Sequence, residues 1–241
     1  IRLIGDKSLS KRDFKRVADP LQKFGAVFKL KEKKYLPLNI FGKQKLKPIK
    51  YYEKLGSAQC KSAVIFAALR TNGTTTIKAK KSRNHTELLL KYLNYPIKIK
   101  KNKNHDLIEV QGLKQFRSFE YVVPGDISSA SFFIVLTLLS QKSSLILKNI
   151  NVNPLRAGII NILNRMNAQI KIYDKRNYKG ELIGSIKVKS ANNFKPINCP
   201  KSLNSSAIDE FLLIFLIAAK AKGISTFKNL DELNKKESPR L

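Results

Sequence analysis

GSAQCKSAVIFAALRTNGTTTIK, residues 56–78, decides the fold, because the chain carries the same plan three times. The stretch starts with small and polar residues and continues as an apolar run suited to a helix. It then turns and ends in β-branched residues suited to a strand. GDISSASFFIVLTLLSQKSSLILKNI (125–150) and SSAIDEFLLIFLIAAKAKGISTFKNL (205–230) follow the same order. Ser57 and Ser128 are 71 residues apart, and Ser128 and Ser206 are 78 apart. Recurrence at this spacing marks repeated supersecondary units.

A second segment type alternates with the first. It starts basic or polar, forms an amphipathic helix and ends in a strand. The copies are KRDFKRVADPLQKFGAVFKL (11–30), SRNHTELLLKYLNYPIKIK (82–100) and NPLRAGIINILNRMNAQIKIY (153–173), with a further copy beginning at KKESPRL (235–241). Leu88, Leu89 and Tyr92, and then Ile159, Ile162, Leu163 and Met166, fall at helical spacing. Asn153 before Pro154 predicts an N-cap with proline at the first helical position. Lys98 to His105 reads as a charged surface turn. Together the two segment types give an α/β class of helices packed on sheets.

The chain has 47 basic and 17 acidic residues, a net charge of +30. Ten of the basic residues are arginine, so 47 − 10 = 37 are lysine, and tryptophan is absent. Nucleic-acid readers lean on arginine forks and stacking aromatics, and no stripe mixes the two here. The charge reads as compositional drift, and it also suits small anionic substrates. Cys60 and Cys199 are far apart and lack a CxxC pattern, and His85 and His105 cannot form a metal cluster alone. A metal site and a disulfide framework are therefore not expected. The apolar run Phe211 to Ala219 is far short of the ~20 residues of a membrane helix. The chain starts at Ile1 and stops at Leu241 just where a helix begins, which reads as an internal fragment of a cytoplasmic protein.

Every repeat starts a helix with exposed backbone N–H groups, which favour anions. The second segment type adds cations at the same place: Arg12, Arg83, Arg156, Lys236 and Arg240. Acidic residues are rare, so their positions carry information. Asp209 and Glu210 stand at the start of the most apolar helix, where capping is their ordinary role. Asp126 stands where an N-cap or turn is expected. Glu237, flanked by Lys236 and Arg240, has a surface ion pair as its ordinary role.

Six segments in order resemble the 5-enolpyruvylshikimate-3-phosphate synthase family: GSAQCKSAVIFAAL (56–69), KSRNHTELLL (81–90), VVPGDISSASFF (122–133), VNPLRAGIINILNRM (152–166), AIDEFLLIFLIAAKAKG (207–223) and LNKKESPRL (233–241). The Ser57-Ala58-Gln59 form and the Arg83-Asn84-His85-Thr86-Glu87 stretch are similar to its class II branch. The resemblance implies a two-domain enolpyruvyl transferase fold of repeated βαβαββ units, incomplete here at both ends. Residues 1–124 would belong to one domain and 125–241 to the other. It also implies transfer of the enolpyruvyl group from phosphoenolpyruvate to the 5-hydroxyl of shikimate 3-phosphate. That reaction lies on the shikimate route to chorismate and the aromatic amino acids.

By the same resemblance, Ser57, Ala58, Gln59, Arg83, Asp209 and Lys236 would hold shikimate 3-phosphate. Arg12, Gln59 and Arg240 would hold phosphoenolpyruvate. Asp209 would be the base, with Lys236 and Glu237 beside the reacting carbons. No cofactor or metal is implied, and the full-length enzyme would be a monomer without nucleic-acid or membrane partners. Pro239, Asn234 and the pair Gly184-Ser185 depart from the family pattern. The 241-residue chain alone is expected to be inactive, because family motifs before Ile1 and after Leu241 are missing from it. Two alternatives stay open: a UDP-N-acetylglucosamine enolpyruvyl transferase, which shares fold and chemistry, and a basic nucleic-acid-binding protein.

Overall fold

The computed structural model describes residues 1–43 and 45–235. The chain divides into two compact units, Ile1–Ser118 and Phe119–Leu241. In the first unit, β1 (Arg2–Leu3), α1 (Lys15–Gln22), β2 (Val27–Lys31) and β3 (Tyr35–Phe41) come before a longer run. That run is β4 (Lys50–Glu53), α2 (Ala58–Leu69), β5 (Thr74–Lys80), α3 (His85–Tyr92), β6 (Ile97–Lys101) and β7 (His105–Gln111). Its strands form a sheet ordered β4-β5-β7-β6. β4 and β5 are parallel, and the other two pairings are antiparallel. This is one complete βαβαββ unit, as the repeat implies.

The second unit repeats the design with a reduced first strand. It contains α4 (Ile127–Leu139), β8 (Ser144–Asn151), α5 (Gly158–Arg165), β9 (Gln169–Tyr178) and β10 (Glu181–Lys189), with strand order β8-β10-β9. Gly125 forms a single parallel bridge to Ile150 on β8, the place β4 occupies beside β5. α6 (Phe211–Ala218) follows a 3-10 turn at Lys201–Ser206, and Asn198 pairs with Thr226 in one parallel bridge. These last elements open the next copy.

Side-chain alternation explains the layers. Along β5, Thr75, Ile77 and Ala79 are buried while Thr74, Lys78 and Lys80 are exposed. Val64, Ile65 and Ala68 of α2 pack against Ile77 and against Ile108 and Val110 of β7. In the second unit, Ile134 and Leu138 of α4 share one core with Ile162 and Leu163 of α5, Ile186 and Val188 of β10, and Phe211 and Ile214 of α6. Each such buried side chain contributes about 1.5–3 kcal/mol. Tertiary burial therefore holds α5 and α6, helices of only 8 residues each, which are too short to persist alone in water.

Three local expectations need correction. The charged turn read at Lys98 to His105 is shorter than that: Lys98–Lys101 continue the strand expected at the end of segment 82–100, with Lys98 opposite Glu109 and Lys100 opposite Leu107. The alternating Ile97 and Ile99 set the register, and the lysines occupy the other face. Asn153 does not cap α5, which starts at Gly158. Its side-chain oxygen instead accepts the Leu155 amide at 3.0 Å, closing an Asx turn before the helix. α5 begins at a glycine because a Cβ there would come within 2.8 Å of the Ser206 carbonyl carbon. Finally, the segment after Gly223 does not build the strand expected of the third copy. Among the described residues Thr226 has one bridge, to Asn198, and a single bridge does not make a ladder. The departure at Gly184-Ser185 falls on a bulge in β10, where the register shifts against both neighbouring strands.

Candidate functional site

In the first unit, the Ser57-Ala58-Gln59 stretch opens α2. Ser57 is the N-cap, its hydroxyl accepting the Cys60 amide at 3.3 Å. Gly56 takes φ +72° just before it, a conformation glycine adopts without steric cost. The fully buried carboxylate of Glu53 accepts the amides of Leu55 at 2.9 Å and Gly56 at 2.7 Å. This fixes the loop that delivers Ser57. Arg16 Nη2, from the first turn of α1, donates to Ser57 Oγ at 3.0 Å, so a cation already stands at this helix tip. Ala58 is half-buried and Gln59 exposed.

Arg83 lies in the loop before α3. Lys61 Nζ donates to the Arg83 carbonyl at 2.8 Å and pairs with Glu87 Oε1 at 2.6 Å, both side chains being 3% exposed. Ser62 and Thr86 share a hydroxyl contact of 2.7 Å. The starts of α2 and α3, which carry Gln59 and Arg83, are thus locked together. Arg12 follows the 3-10 turn Leu9–Lys11, its amide donating to the Leu9 carbonyl at 3.1 Å.

In the second unit a charged cluster gathers at the starts of α4 and α6. Asp126 caps α4, accepting the Ser129 amide at 3.1 Å. The two guanidinium ends of Arg156 reach separate partners: Nη1 lies 2.8 Å from Asp209 Oδ2, and Nη2 lies 3.1 Å from Asp126 Oδ1. Glu210, 1% exposed, accepts the Ser128 hydroxyl and lies 3.8 Å from Arg156 Nη1. Glu210 is the N-cap residue of α6 but makes no side-chain cap bond; it faces Ser128 and Arg156, and Asp209 faces Arg156. At Glu210 the capping role read from the sequence gives way to the Ser128 hydroxyl and the guanidinium, because charge-assisted pairs are the stronger bonds.

The charges respond to one another. Burial alone would raise the Asp126 carboxyl, but the Ser129 amide and the Arg156 guanidinium outweigh it and hold it below the usual carboxylate range. Burial works against the Arg156 charge, yet Glu210, Asp209 and Asp126 raise its pKa above the usual arginine value. Asp126 therefore adds stability that is complete above the unfolded value of about 3.9. That stability is lost as pH falls through the lowered folded value. In denaturant titrations the advantage of the parent over Asp126→Asn should be constant above about pH 5 and shrink below about pH 4. Asparagine keeps the cap, so a pH-independent difference would mean that the carboxylate charge adds nothing.

Sequence reading gave Arg16, Lys61 and Glu53 no role at the site, and it read Arg156 as a cation at a helix start and Glu210 as a cap without pairing either with its partners. Arg16 carried a signal, as the second arginine of KRDFKR one helical turn after Arg12. Lys236, Glu237 and Arg240 lie outside the described residues. Among the described residues no group of three or more His, Cys, Asp or Glu could hold a metal ion, and no helix is long and apolar enough to cross a membrane. Both cysteines are free and buried.

The family profile described as EPSP synthase (3-phosphoshikimate 1-carboxyvinyltransferase) matches residues 1–241. A 3-phosphoshikimate 1-carboxyvinyltransferase of Caldicellulosiruptor bescii is 43% identical over 99% of this chain and 55% of its own length. Its counterpart from Petrotoga mobilis is 39% identical with the same coverage. The solved EPSP synthase of Acinetobacter baumannii aligns with TM-score 0.82 at 36% identity, over 99% of this chain and 53% of that one. The enolpyruvyl transferase NikO of Streptomyces tendae aligns with TM-score 0.66 at 14% identity, over 92% of this chain and 51% of that one, a likeness of fold. The chain spans about half the length of the curated relatives it matches.

Proposed function

The chain belongs to the EPSP synthase family, and from that premise we propose that the protein carrying it is a 3-phosphoshikimate 1-carboxyvinyltransferase. It moves the enolpyruvyl group of phosphoenolpyruvate to the 5-hydroxyl of shikimate 3-phosphate and releases inorganic phosphate. The observation that carries the chemistry is the Asp209 carboxylate, a quarter exposed and held 2.8 Å from a guanidinium. A guanidinium neighbour favours the charged form of a carboxylate, the form that can accept a proton.

On this reading Ser57, Ala58, Gln59 and Arg83 hold shikimate 3-phosphate, together with Asp209 and Lys236. Arg12, Gln59 and Arg240 hold phosphoenolpyruvate. Residues 1–124 thus supply the phosphate-holding groups around α2 and α3, and residues 125–241 supply the base. Asp209 takes the proton of the 5-hydroxyl as its oxygen attacks C2 of phosphoenolpyruvate, and C3 takes a proton from Glu237. In the second step the Glu237 carboxylate takes a proton back from the new methyl group as the C2–O bond to phosphate breaks, restoring the double bond, and the proton held by Asp209 leaves with the phosphate. Lys236 and the arginines stabilise charge on the departing phosphate. Each step is acid–base chemistry on side chains, so neither metal nor organic cofactor is invoked. The same reading makes the protein a cytoplasmic monomer without a nucleic-acid partner.

The test is phosphate release by the full-length protein. With both substrates, one phosphate should appear for each enolpyruvyl ether formed, and UDP-N-acetylglucosamine should not replace shikimate 3-phosphate. Turnover of the nucleotide sugar instead would favour the sister transferase. No turnover, together with steeply salt-dependent binding of DNA or RNA, would favour the nucleic-acid binder.

A further inference from the structure

Arg156 is not among the residues to which the proposed reaction gives a role, yet it joins every charged group described in the second unit's cluster. Its Nη1 contacts Asp209 and its Nη2 contacts Asp126, with Glu210 at 3.8 Å, and its side chain is 14% exposed. Asp126 is itself pinned as the cap of α4 by the Ser129 amide. The fork therefore fixes the Asp209 carboxylate relative to the start of α4, a helix of 13 residues whose inner face is core. Glu210, next in the chain to Asp209, is tied to the same helix through Ser128.

We propose that Arg156 is the positioning residue of the enolpyruvyl transfer: it fixes the Asp209 carboxylate in place and keeps it deprotonated. This rests on the reading of Asp209 as the base. Arg156 acts through Asp209 and needs no contact with the reacting atoms. Two physical effects operate together. A guanidinium beside a carboxylate favours its charged form. Removing Arg156 would take away the guanidinium that lies within 3.8 Å of Asp126, Asp209 and Glu210, and a carboxylate that loses such a neighbour binds its proton more readily. The second effect is geometric, since a base displaced by about 1 Å can lose about 10²-fold in rate.

The experiment is the pH dependence of kcat and kcat/KM for the full-length protein and for its Arg156→Met, Arg156→Lys and Asp209→Asn variants. For Arg156→Met, kcat should fall on the order of 10²-fold at pH 7, with little change in KM for either substrate. Its acid limb should move up by about one to three pH units. Lysine keeps the charge but not the fork, so Arg156→Lys should bring the acid limb back toward the parent while kcat stays at least about tenfold low. An acid limb identical to the parent's in Arg156→Met would overturn the proposal. If that variant does not fold, Arg156→Lys decides: parental kcat counts against the proposal, and a lowered kcat with parental KM and melting temperature supports it. Parental turnover by Asp209→Asn would defeat the assignment of the base itself. An inactive Asp209→Asn beside Arg156 variants with the parental profile would defeat only the role of Arg156.

Discussion

Asp209→Asn in the full-length protein should lower phosphate release by about 10²–10⁴-fold at pH 7, the range a positioned general base contributes. Asparagine has nearly the same shape and can still accept from Arg156 Nη1, now 2.8 Å from Oδ2. What it lacks is the ability to take a proton. Arg156 keeps Asp126 as an ionic partner at 3.1 Å, and a partly exposed pair adds little to stability. Thermal unfolding should therefore move by only a few degrees. Kinetics of the variant beside its melting curve separate the two effects. Parental turnover, or a loss that simply follows unfolding, would contradict a catalytic carboxylate.

The largest expected effect on stability is at Lys61. Its ammonium is buried with Glu87 and also holds the Arg83 carbonyl. Replacing it by methionine leaves the Glu87 carboxylate buried without that cation. Removing one partner of a buried pair costs about 3–5 kcal/mol. Changing both, as in Lys61→Met with Glu87→Leu, should recover most of the loss, because a packed apolar pair is often as stable as a buried ion pair. Urea denaturation of the single and double variants measures both. A single-variant loss below about 1 kcal/mol would be the value of an exposed pair, and it would show that water reaches the site. Because Lys61 also holds the loop of Arg83, the single variant should bind shikimate 3-phosphate more weakly even where it remains folded.

Repetition made the fold legible. Three copies of one segment type and three of another, in alternation, demand a common α/β unit. The complete β4-α2-β5-α3-β6-β7 run is that unit. Errors arose where one residue type obscured the period. Lysines on the outer face of Ile97–Lys101 disguised the later part of that strand as a charged turn. In the third copy the strand-like composition after Gly223 was real, but strand formation also requires a partner, and among the described residues Thr226 has one bridge, to Asn198. The residues proposed for the site were legible one by one, through the family-like motifs. Their partners were not. Arg156 meets Asp209 across 53 residues, and Ser57 meets Arg16 across 41. Such pairings come from packing of helix starts, which no local pattern encodes. The buried Lys61–Glu87 pair was hidden because lysine is everywhere in this chain, and composition does not separate a desolvated lysine such as Lys61 from the solvated ones.

A crystal structure of the full-length protein with shikimate 3-phosphate bound tests the account most directly. A carboxylate oxygen of Asp209 should lie about 2.6–3.2 Å from the 5-hydroxyl oxygen, with Arg156 still bonded to that carboxylate and the substrate phosphate on Ser57 and Arg83. A complex in which the 5-hydroxyl is bound by other groups, beyond hydrogen-bond reach of Asp209, would contradict it.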